Sequence, residues 1–332
     1  MSGRLRVGFV AALATLAATL LAGCGGGDGE RSQVAAKTEH AHAEPAQTER
    51  SHGGHSHDEE GATLYHLYLL PVGGGRPRAV PDPREEPYLT LDPAWSPDGR
   101  RLAVTEVDCH ACPPEIRVID LDDPSGRRTV VGHGSRPSFS ADGRSIVFIS
   151  PSGDLTVVDM SGGSRQVLVP AHRGGLDQPA FSPNGRNLAY IRQDTTGQWR
   201  LFAAAADGRD PRALVRGGGS VVDPTWARDG ARIAFARQGA DGKWQVYLMS
   251  PTGRRPRRIT QPPGSSSAPS LTPDGRTIVY VRQQGSTFEL MRRRLVGGSA
   301  ERLDIGRLSD PVQPAVSPDG KLVAFSARAL GD

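Results

Sequence analysis

The stretch Asp92-Pro93-Ala94-Trp95-Ser96-Pro97-Asp98-Gly99-Arg100 occurs in six related versions along this chain of 332 residues. The motif returns around five later glycines, at intervals of 42 to 45 residues. A fixed period of this size indicates one supersecondary unit that stacks on copies of itself. The five later glycines are Gly143, Gly185, Gly230, Gly275 and Gly320.

The six copies are in register. Each glycine is preceded, six residues earlier, by a proline, which is followed by a small residue and then by an apolar one. After the glycine, two apolar residues alternate as in a strand with one buried face. The first of these is Leu102, Ile146, Leu188, Ile233, Ile278 and Val323, and the second is Val104, Phe148, Tyr190, Phe235, Tyr280 and Phe325.

Each unit has the composition of a four-stranded blade. The proline belongs on an edge strand because it cannot donate to a β-ladder, and the innermost strand of a propeller blade is such an edge. The Pro-Asp-Gly segment predicts a tight hairpin turn. Beyond the B strand, two further strand signals follow in each of the first five repeats, as in Trp199 to Ala204 and Arg212 to Val215. We name the four strands A to D from the axis outward.

The strand signals at the two ends of the repeat region complement each other. The last repeat has only its A and B strands, which end near Ala327, whereas Leu64 to Leu70 and Arg76 to Val80 form a C–D pair before the first motif. The N-terminal strands should therefore complete the last blade. The sequence predicts an all-β, closed six-bladed β-propeller over residues 63–332.

The pattern Pro-x-aromatic-Ser-Pro-Asp-Gly-Arg, followed by Leu-Ala-Val or Ile-Ala-Phe, resembles the repeat of TolB-type (PD40, WD40-like) β-propellers. The resemblance covers Leu64 to Arg328. It implies the propeller fold specifically. It implies function only broadly, because this repeat serves binding proteins, peptidase-gating propellers and a few sugar lyases.

The N-terminus has the pattern of a secretory signal peptide, residues 1–23. Arg4 and Arg6 precede a short apolar core, and Leu-Ala-Gly-Cys24 matches the bacterial lipobox. We expect Cys24 to be lipidated and the mature protein to be anchored to a membrane of the bacterial cell envelope, outside the cytoplasm. The alternative is an ordinary secretory signal with an incidental cysteine. Residues 24–62 contain almost no large apolar side chains, which predicts a flexible, histidine-rich tether.

Basic residues cluster at two positions in a chain whose net charge is only +4. Arg254, Arg255, Arg257 and Arg258 lie in the C–D turn of blade 4, and residues 292–294 are arginines in blade 5. Export disfavours a nucleic-acid partner. Anionic lipids or cell-wall polymers are candidate ligands, and a solvated basic turn is the simpler interpretation.

Enzyme motifs are scarce. The chain contains no Gly-x-Ser-x-Gly nucleophile elbow and no phosphate-binding glycine loop. The aspartates that enter or precede A strands could ring one mouth of the channel and hold a cation or act as acids and bases. Alternatively, they cap the turns into strand A. The candidate ring positions are Asp92, Arg136, Asp177, Asp223 and Asp310.

Cysteines and histidines form a second candidate site. Cys109 and Cys112 lie in the B–C loop of blade 1, and outside the cytoplasm a small disulfide loop is the leading interpretation. Metal ligation by these thiolates with His110 is the alternative. The tether contributes His52, His55 and His57, which could bind Zn²⁺ or Cu²⁺, although a polar tether of biased composition is the simpler interpretation.

The sequence therefore predicts a non-catalytic, lipid-anchored binding or scaffold propeller, most simply a monomer that requires no cofactor. Its partner would be a protein, a peptide or a glycan, held at the face that carries the B–C and D–A connections. Two alternatives stay open. One is a metal-handling lipoprotein that uses the histidine-rich tether, and the other is a polysaccharide lyase or hydrolase that acts at the channel mouth.

Overall fold

The structure is a computed structural model, and it describes residues 65–83, 89–108 and 112–330. Within these residues, 24 strands form six antiparallel sheets of four strands each. The first twelve, in chain order, are β1 (His66–Pro71), β2 (Arg78–Ala79), β3 (Leu89–Trp95), β4 (Arg101–Val107), β5 (Glu115–Asp120), β6 (Arg128–His133), β7 (Ser135–Phe139), β8 (Ser145–Ile149), β9 (Leu155–Asp159), β10 (Arg165–Val169), β11 (Leu176–Phe181) and β12 (Asn187–Gln193).

The second half of the chain continues the same succession of strands. These strands are β13 (Trp199–Ala205), β14 (Arg212–Ala213), β15 (Val221–Trp226), β16 (Ile233–Gln238), β17 (Trp244–Met249), β18 (Arg257–Arg258), β19 (Ser265–Leu271), β20 (Thr277–Gln284), β21 (Thr287–Arg294), β22 (Ala300–Arg302), β23 (Leu308–Val316) and β24 (Leu322–Ala329). Blades 1 to 5 each take four consecutive strands, beginning with β3. The predicted six-bladed propeller is confirmed.

The B strands supply the core, as their alternation predicts. Every member of the two alternating apolar sets is buried, with an exposed fraction of at most 3 %. These side chains pack between neighbouring blades: Ile233 and Phe235 of blade 4, for example, lie in one cluster with Ile191 and Leu201 of blade 3. Because each blade buries its apolar face against the next blade, no single blade has a core of its own.

Blade 6 is assembled from both ends of the propeller region. Its strand order is β2, β1, β24, β23, so the N-terminal strands provide its two outer strands. Strand β1 pairs with β24 along its whole length, and Tyr68 faces Phe325 with ring centroids 5.9 Å apart. The predicted completion of the last blade by the N-terminal strands is confirmed.

The seam between blades 6 and 1 is also tightly packed. The Arg128 guanidinium, at the start of β6, lies 2.5 Å from the carboxylate of Asp82, which follows β2. Arg128 also pairs with the buried carboxylate of Glu106 in β4. Gly126 has a φ of 65°, and a Cβ atom there would lie 2.6 Å from the carbonyl oxygen of Pro81. The C–D turn of blade 1 therefore packs directly on the chain that leaves blade 6.

Several predicted features fall outside the described residues. The signal peptide 1–23, the tether 24–62 with Cys24, and the pair Cys109 and His110 belong to this group. In the part of the chain that the structure describes, no helix is long and apolar enough to cross a membrane.

Candidate functional site

A ring of six residues surrounds the propeller axis. Each lies immediately before the repeat proline, has a φ between 49° and 60°, and sits where the A–B pairing register shifts. Residues other than glycine rarely adopt this left-handed conformation, because it brings Cβ close to the carbonyl oxygen. Here it accompanies a β-bulge that aims the side chain at the axis. The ring consists of Asp92, Arg136, Gln178, Asp223, Ala268 and Gln313, all of which line one cavity.

Two glutamine–aspartate pairs connect ring members of adjacent blades. The Gln178 side chain donates to Asp223 Oδ1 at 2.8 Å and accepts the Asp223 backbone N–H at 2.6 Å. The Gln313 side chain makes the same pair of contacts with Asp92, accepting its backbone N–H at 3.0 Å. These pairs satisfy the backbone groups that the bulges withdraw from the sheets.

The ring repeats after three blades: Asp, a variable residue, Gln, and then the same again. The tryptophans of the wall above the ring also repeat after three blades. Trp95 in blade 1 donates its indole N–H to Ala315 O at 2.8 Å, and Trp226 in blade 4 donates to Ala180 O at 3.0 Å. The variable position differs, because it is Arg136 in blade 2 and Ala268 in blade 5. Arg136 is therefore what breaks the pseudo-two-fold symmetry of the ring.

Arg136 is the cation within this ring. Its Nη1 donates to the carboxylate of Asp92, and its Nε lies 3.5 Å from Asp177 Oδ1, with side-chain exposures of 13 %, 10 % and 19 % respectively. Burial alone would lower the pKa of the guanidinium. The nearby carboxylates of Asp92, Asp177 and Asp223 outweigh burial and raise it above its ordinary value.

Two carboxyl groups beside Arg136 also have raised pKa values, and for these groups the shift disfavours the charged form. Burial raises the pKa of Asp177 and of Asp223 above the ordinary value, and the charge of Arg136 opposes this shift in both. Asp223 is further stabilised as an anion by the backbone N–H of Ala268, at 2.9 Å from Oδ2. One guanidinium thus faces three carboxylates, those of Asp92, Asp177 and Asp223, at or beside the base of the cavity.

The cavity above the ring is a funnel of about 330 Å³ that opens between the A–B turns. The ring forms its polar base. Its wall is apolar, and its rim is formed by the second residue of each A–B turn. The wall contains Trp95, Phe139, Phe181, Trp226, Leu271 and Val316, and the rim consists of Pro97, Ala141, Pro183, Arg228, Pro273 and Pro318. An apolar wall above a few convergent polar groups is typical of a binding site.

The structure brings together four of the five candidate ring positions from the sequence: Asp92, Arg136, Asp177 and Asp223 lie within one charged group. Asp310 pairs instead with Arg328 of strand β24, whose Nη1 lies 3.1 Å from its carboxylate. Sequence analysis missed Gln178 and Gln313. The signal that identifies them is their position directly before the repeat proline, whereas Asp177 and Asp310 precede it by two and four residues.

The cysteine–histidine candidates are mostly outside the described residues. This applies to Cys109, His110, His52, His55 and His57. Cys112 is disulfide-bonded. Within residues 65–83, 89–108 and 112–330, no group of three or more His, Cys, Asp or Glu side chains has the geometry of a metal site.

Comparison with known proteins agrees with this architecture. The model of the TolB β-propeller domain family, PD40, matches residues 152–332. None of the curated proteins matches the chain. Among solved structures, a TolB-type protein from Agrobacterium tumefaciens is similar over 82 % of this chain and 100 % of its own, with 19 % identity and a TM-score of 0.67.

Two other solved structures show how widely the fold is used. TolB from Acinetobacter baumannii has 19 % identity and a TM-score of 0.57, with coverage of 81 % of this chain and 65 % of the A. baumannii protein. An oligogalacturonate lyase from Vibrio parahaemolyticus has 11 % identity and a TM-score of 0.52, with coverage of 80 % and 97 %. The structural likenesses establish the fold, and the family match covers more than half of the sequence. The chain therefore belongs to the TolB β-propeller (PD40) family.

Proposed function

We propose that this protein is a non-catalytic binding module that holds an extended segment of a partner protein or peptide in the axial funnel. The observation that supports this proposal is the combination of an apolar, open wall with a polar base of carboxylates, side-chain amides and one guanidinium. An extended peptide can bury apolar side chains against the wall, while its backbone groups bond to the amides of Gln178 and Gln313.

The position of the funnel places the proposed binding site on a different face from the one predicted from the sequence. It opens on the side of the A–B turns, whereas the prediction placed the partner at the B–C and D–A connections. The ring and the wall above it line the half of the channel that opens at the A–B turns. We therefore place the proposed partner at the face of the A–B turns. Binding at the face of the B–C and D–A connections stays a prediction.

The cellular setting is part of the same proposal. A lipidated Cys24 followed by a polar tether would hold the propeller at a membrane of the cell envelope, outside the cytoplasm, where it can search for a partner.

Site-specific photo-crosslinking tests the proposal. The photoreactive amino acid p-benzoylphenylalanine is introduced at Ala141 on the rim, or at Ala300 in β22 on the outer edge of blade 5 as the matched control. After irradiation of whole cells, we expect crosslinks from position 141 that map to one extended segment. A synthetic copy of that segment should bind the purified protein with a Kd below about 10⁻⁴ M.

The control distinguishes funnel binding from general surface contact. Equal crosslinking from positions 141 and 300 would show that the funnel is not the contact site. A crosslinked segment whose synthetic copy does not bind would show the same. Either result would overturn the proposed function.

A further inference from the structure

One rim position departs from the repeat. The second residue of the A–B turn is proline in four blades and alanine in one, but in blade 4 it is Arg228. In a repeat protein, a position that departs from the pattern of the repeat is a candidate for a functional or a strained residue. The other five positions are Pro97, Ala141, Pro183, Pro273 and Pro318.

The Arg228 side chain crosses the mouth of the funnel. Its Nη2 donates to the carbonyl oxygen of Pro97 at 3.2 Å, and both residues line the cavity. Pro97 occupies the equivalent position in blade 1, which lies opposite blade 4 in a ring of six. Arg228 is exposed, so this contact is made in solvent rather than in the interior.

The charge of Arg228 is not balanced by a carboxylate within the described residues. The neighbouring Asp229 instead lies 3.6 Å from Arg232, and Asp98 on the opposite turn accepts the hydroxyl of Ser96 at 2.5 Å. A guanidinium has five N–H donors, and a carboxylate is a better acceptor than a neutral carbonyl because two charge-assisted bonds can form side by side. The contact with Pro97 is therefore one that an anionic group can replace.

We propose that Arg228 makes the funnel mouth selective for anionic groups, and that the peptide segment taken up carries a carboxylate that displaces the Pro97 carbonyl from Arg228. This inference rests on the proposed function for its peptide. The selectivity of the mouth can be measured without one.

Tryptophan fluorescence provides the measurement. Trp95 and Trp226 line the funnel, whereas Trp199 and Trp244 begin β13 and β17 at the B–C ends. With the latter two replaced by phenylalanine, the emission reports on the funnel alone. We compare Stern–Volmer quenching by iodide, caesium and neutral acrylamide at constant ionic strength. Iodide relative to acrylamide should fall by about twofold or more in Arg228→Gln, and caesium relative to acrylamide should rise.

Arg144→Gln is the matched control, because Arg144 is an exposed arginine of the A–B turn in blade 2 that does not line the funnel. The inference is overturned if the iodide ratio is unchanged in Arg228→Gln, or if Arg144→Gln lowers it equally. Crosslinking from position 141 tests whether Arg228 recognises a carboxylate of the bound peptide. A yield undiminished by Arg228→Gln would overturn carboxylate recognition while leaving the proposed function intact. Absent crosslinks in the wild type would refute the proposed function and the carboxylate-bearing peptide with it, whereas the selectivity of the mouth is decided by the quenching ratios alone.

Discussion

Gln178 and Asp223, which lie in adjacent blades, exchange two hydrogen bonds: the glutamine amide donates to the carboxylate at 2.8 Å and accepts the backbone N–H of the aspartate at 2.6 Å. Gln313 and Asp92 repeat this arrangement three blades further on. The base of the funnel is thus built from contacts between blades, and its geometry depends on the closure of the whole ring.

Replacing Arg136 should lower the free energy of unfolding, because the buried carboxylates lose their neighbouring cation. Arg136→Gln removes the cation that opposes the effect of burial on Asp177 and Asp223. We expect a loss of about 3 kcal/mol in the free energy of unfolding near neutral pH, because a buried ion pair loses one partner. Denaturant unfolding of the variant and the wild type measures this loss.

The same loss should depend on pH. Without Arg136 the pKa values of the two carboxyl groups rise further above the ordinary value of 3.8. A raised pKa in the folded state means that the folded protein holds protons that the unfolded chain has released, so stability increases as pH falls through the folded pKa. The deficit of the variant should be smaller at about pH 5 than at about pH 8. Arg328→Gln, which breaks a more exposed pair with Asp310, serves as the control and should cost about 1 kcal/mol or less.

A pair of glycines tests the seam between blades 6 and 1. Gly126 and Gly163 occupy C–D turns with the same φ of 65°, but only Gly126 faces a close neighbour, the Pro81 carbonyl. Alanine at either position carries the cost of the left-handed conformation. Gly126→Ala should cost about 1 kcal/mol or more beyond Gly163→Ala, because its Cβ also clashes. Equal melting temperatures for the two variants would argue against this packing.

Ala268 should be improved by glycine, which is unusual for a strand residue. Its φ of 49° strains alanine and suits glycine. The relief should exceed the entropic cost of glycine, which gives a net stabilisation of up to about 1 kcal/mol. Ala300→Gly, in the ordinary strand β22, should instead be destabilising. Thermal unfolding of the two variants decides, and a destabilised Ala268→Gly would contradict the strain.

The predicted anchor can be tested by fractionation. Cys24→Ala should release the processed protein from the membrane fraction or leave the precursor uncleaved, because lipidation requires this cysteine. The proportion of protein in detergent extracts provides the measurement, with Cys112→Ala, which removes a cysteine outside the lipobox, as the control. A processed Cys24→Ala variant that still partitions into detergent would refute lipid anchoring.

Metal binding by the tether is a separate prediction. If His52, His55 and His57 bind Zn²⁺ or Cu²⁺ together with Cys109 and Cys112, reduction of the cysteines should strengthen binding, because a cysteine coordinates a metal as a thiolate and not as part of a disulfide. If the cysteines serve only as a disulfide, reduction should leave metal affinity unchanged. Calorimetric titration of the oxidised, reduced and histidine-free protein separates these cases. A Kd above about 10⁻⁴ M in every form would eliminate the metal-handling alternative.

The architecture was largely predictable from the sequence because the repeat encodes it in local terms. The proline that marks strand A, the glycine of the hairpin and the alternating residues such as Ile233 and Phe235 each have one physical role. These roles recur in six copies at the same positions, and a chance resemblance would not recur in register six times. The completion of blade 6 followed from counting strands, and it was confirmed by the pairing of β1 with β24.

The base of the funnel was only partly predictable, because it depends on backbone conformation. The bulge before each repeat proline decides whether a side chain reaches the axis. The sequence marks this position by the proline, but the left-handed conformation of Gln178 and Gln313 is evident only in the structure. Asp310 was predicted to belong to the ring because of its charge, but its carboxylate pairs with Arg328. The position of Arg228 over the mouth required the geometry of opposite blades, which no single repeat contains.

The six left-handed residues around the axis also bear on how the protein unfolds. Each conformation is unfavourable by about 1 kcal/mol or more for a residue with a Cβ, and several are held by groups of the adjacent blade. A blade that loses its neighbour loses both its core and the contacts that keep its innermost strand bent. Partly open rings should therefore be scarcely populated, and the propeller should melt in one cooperative step despite its repetitive construction.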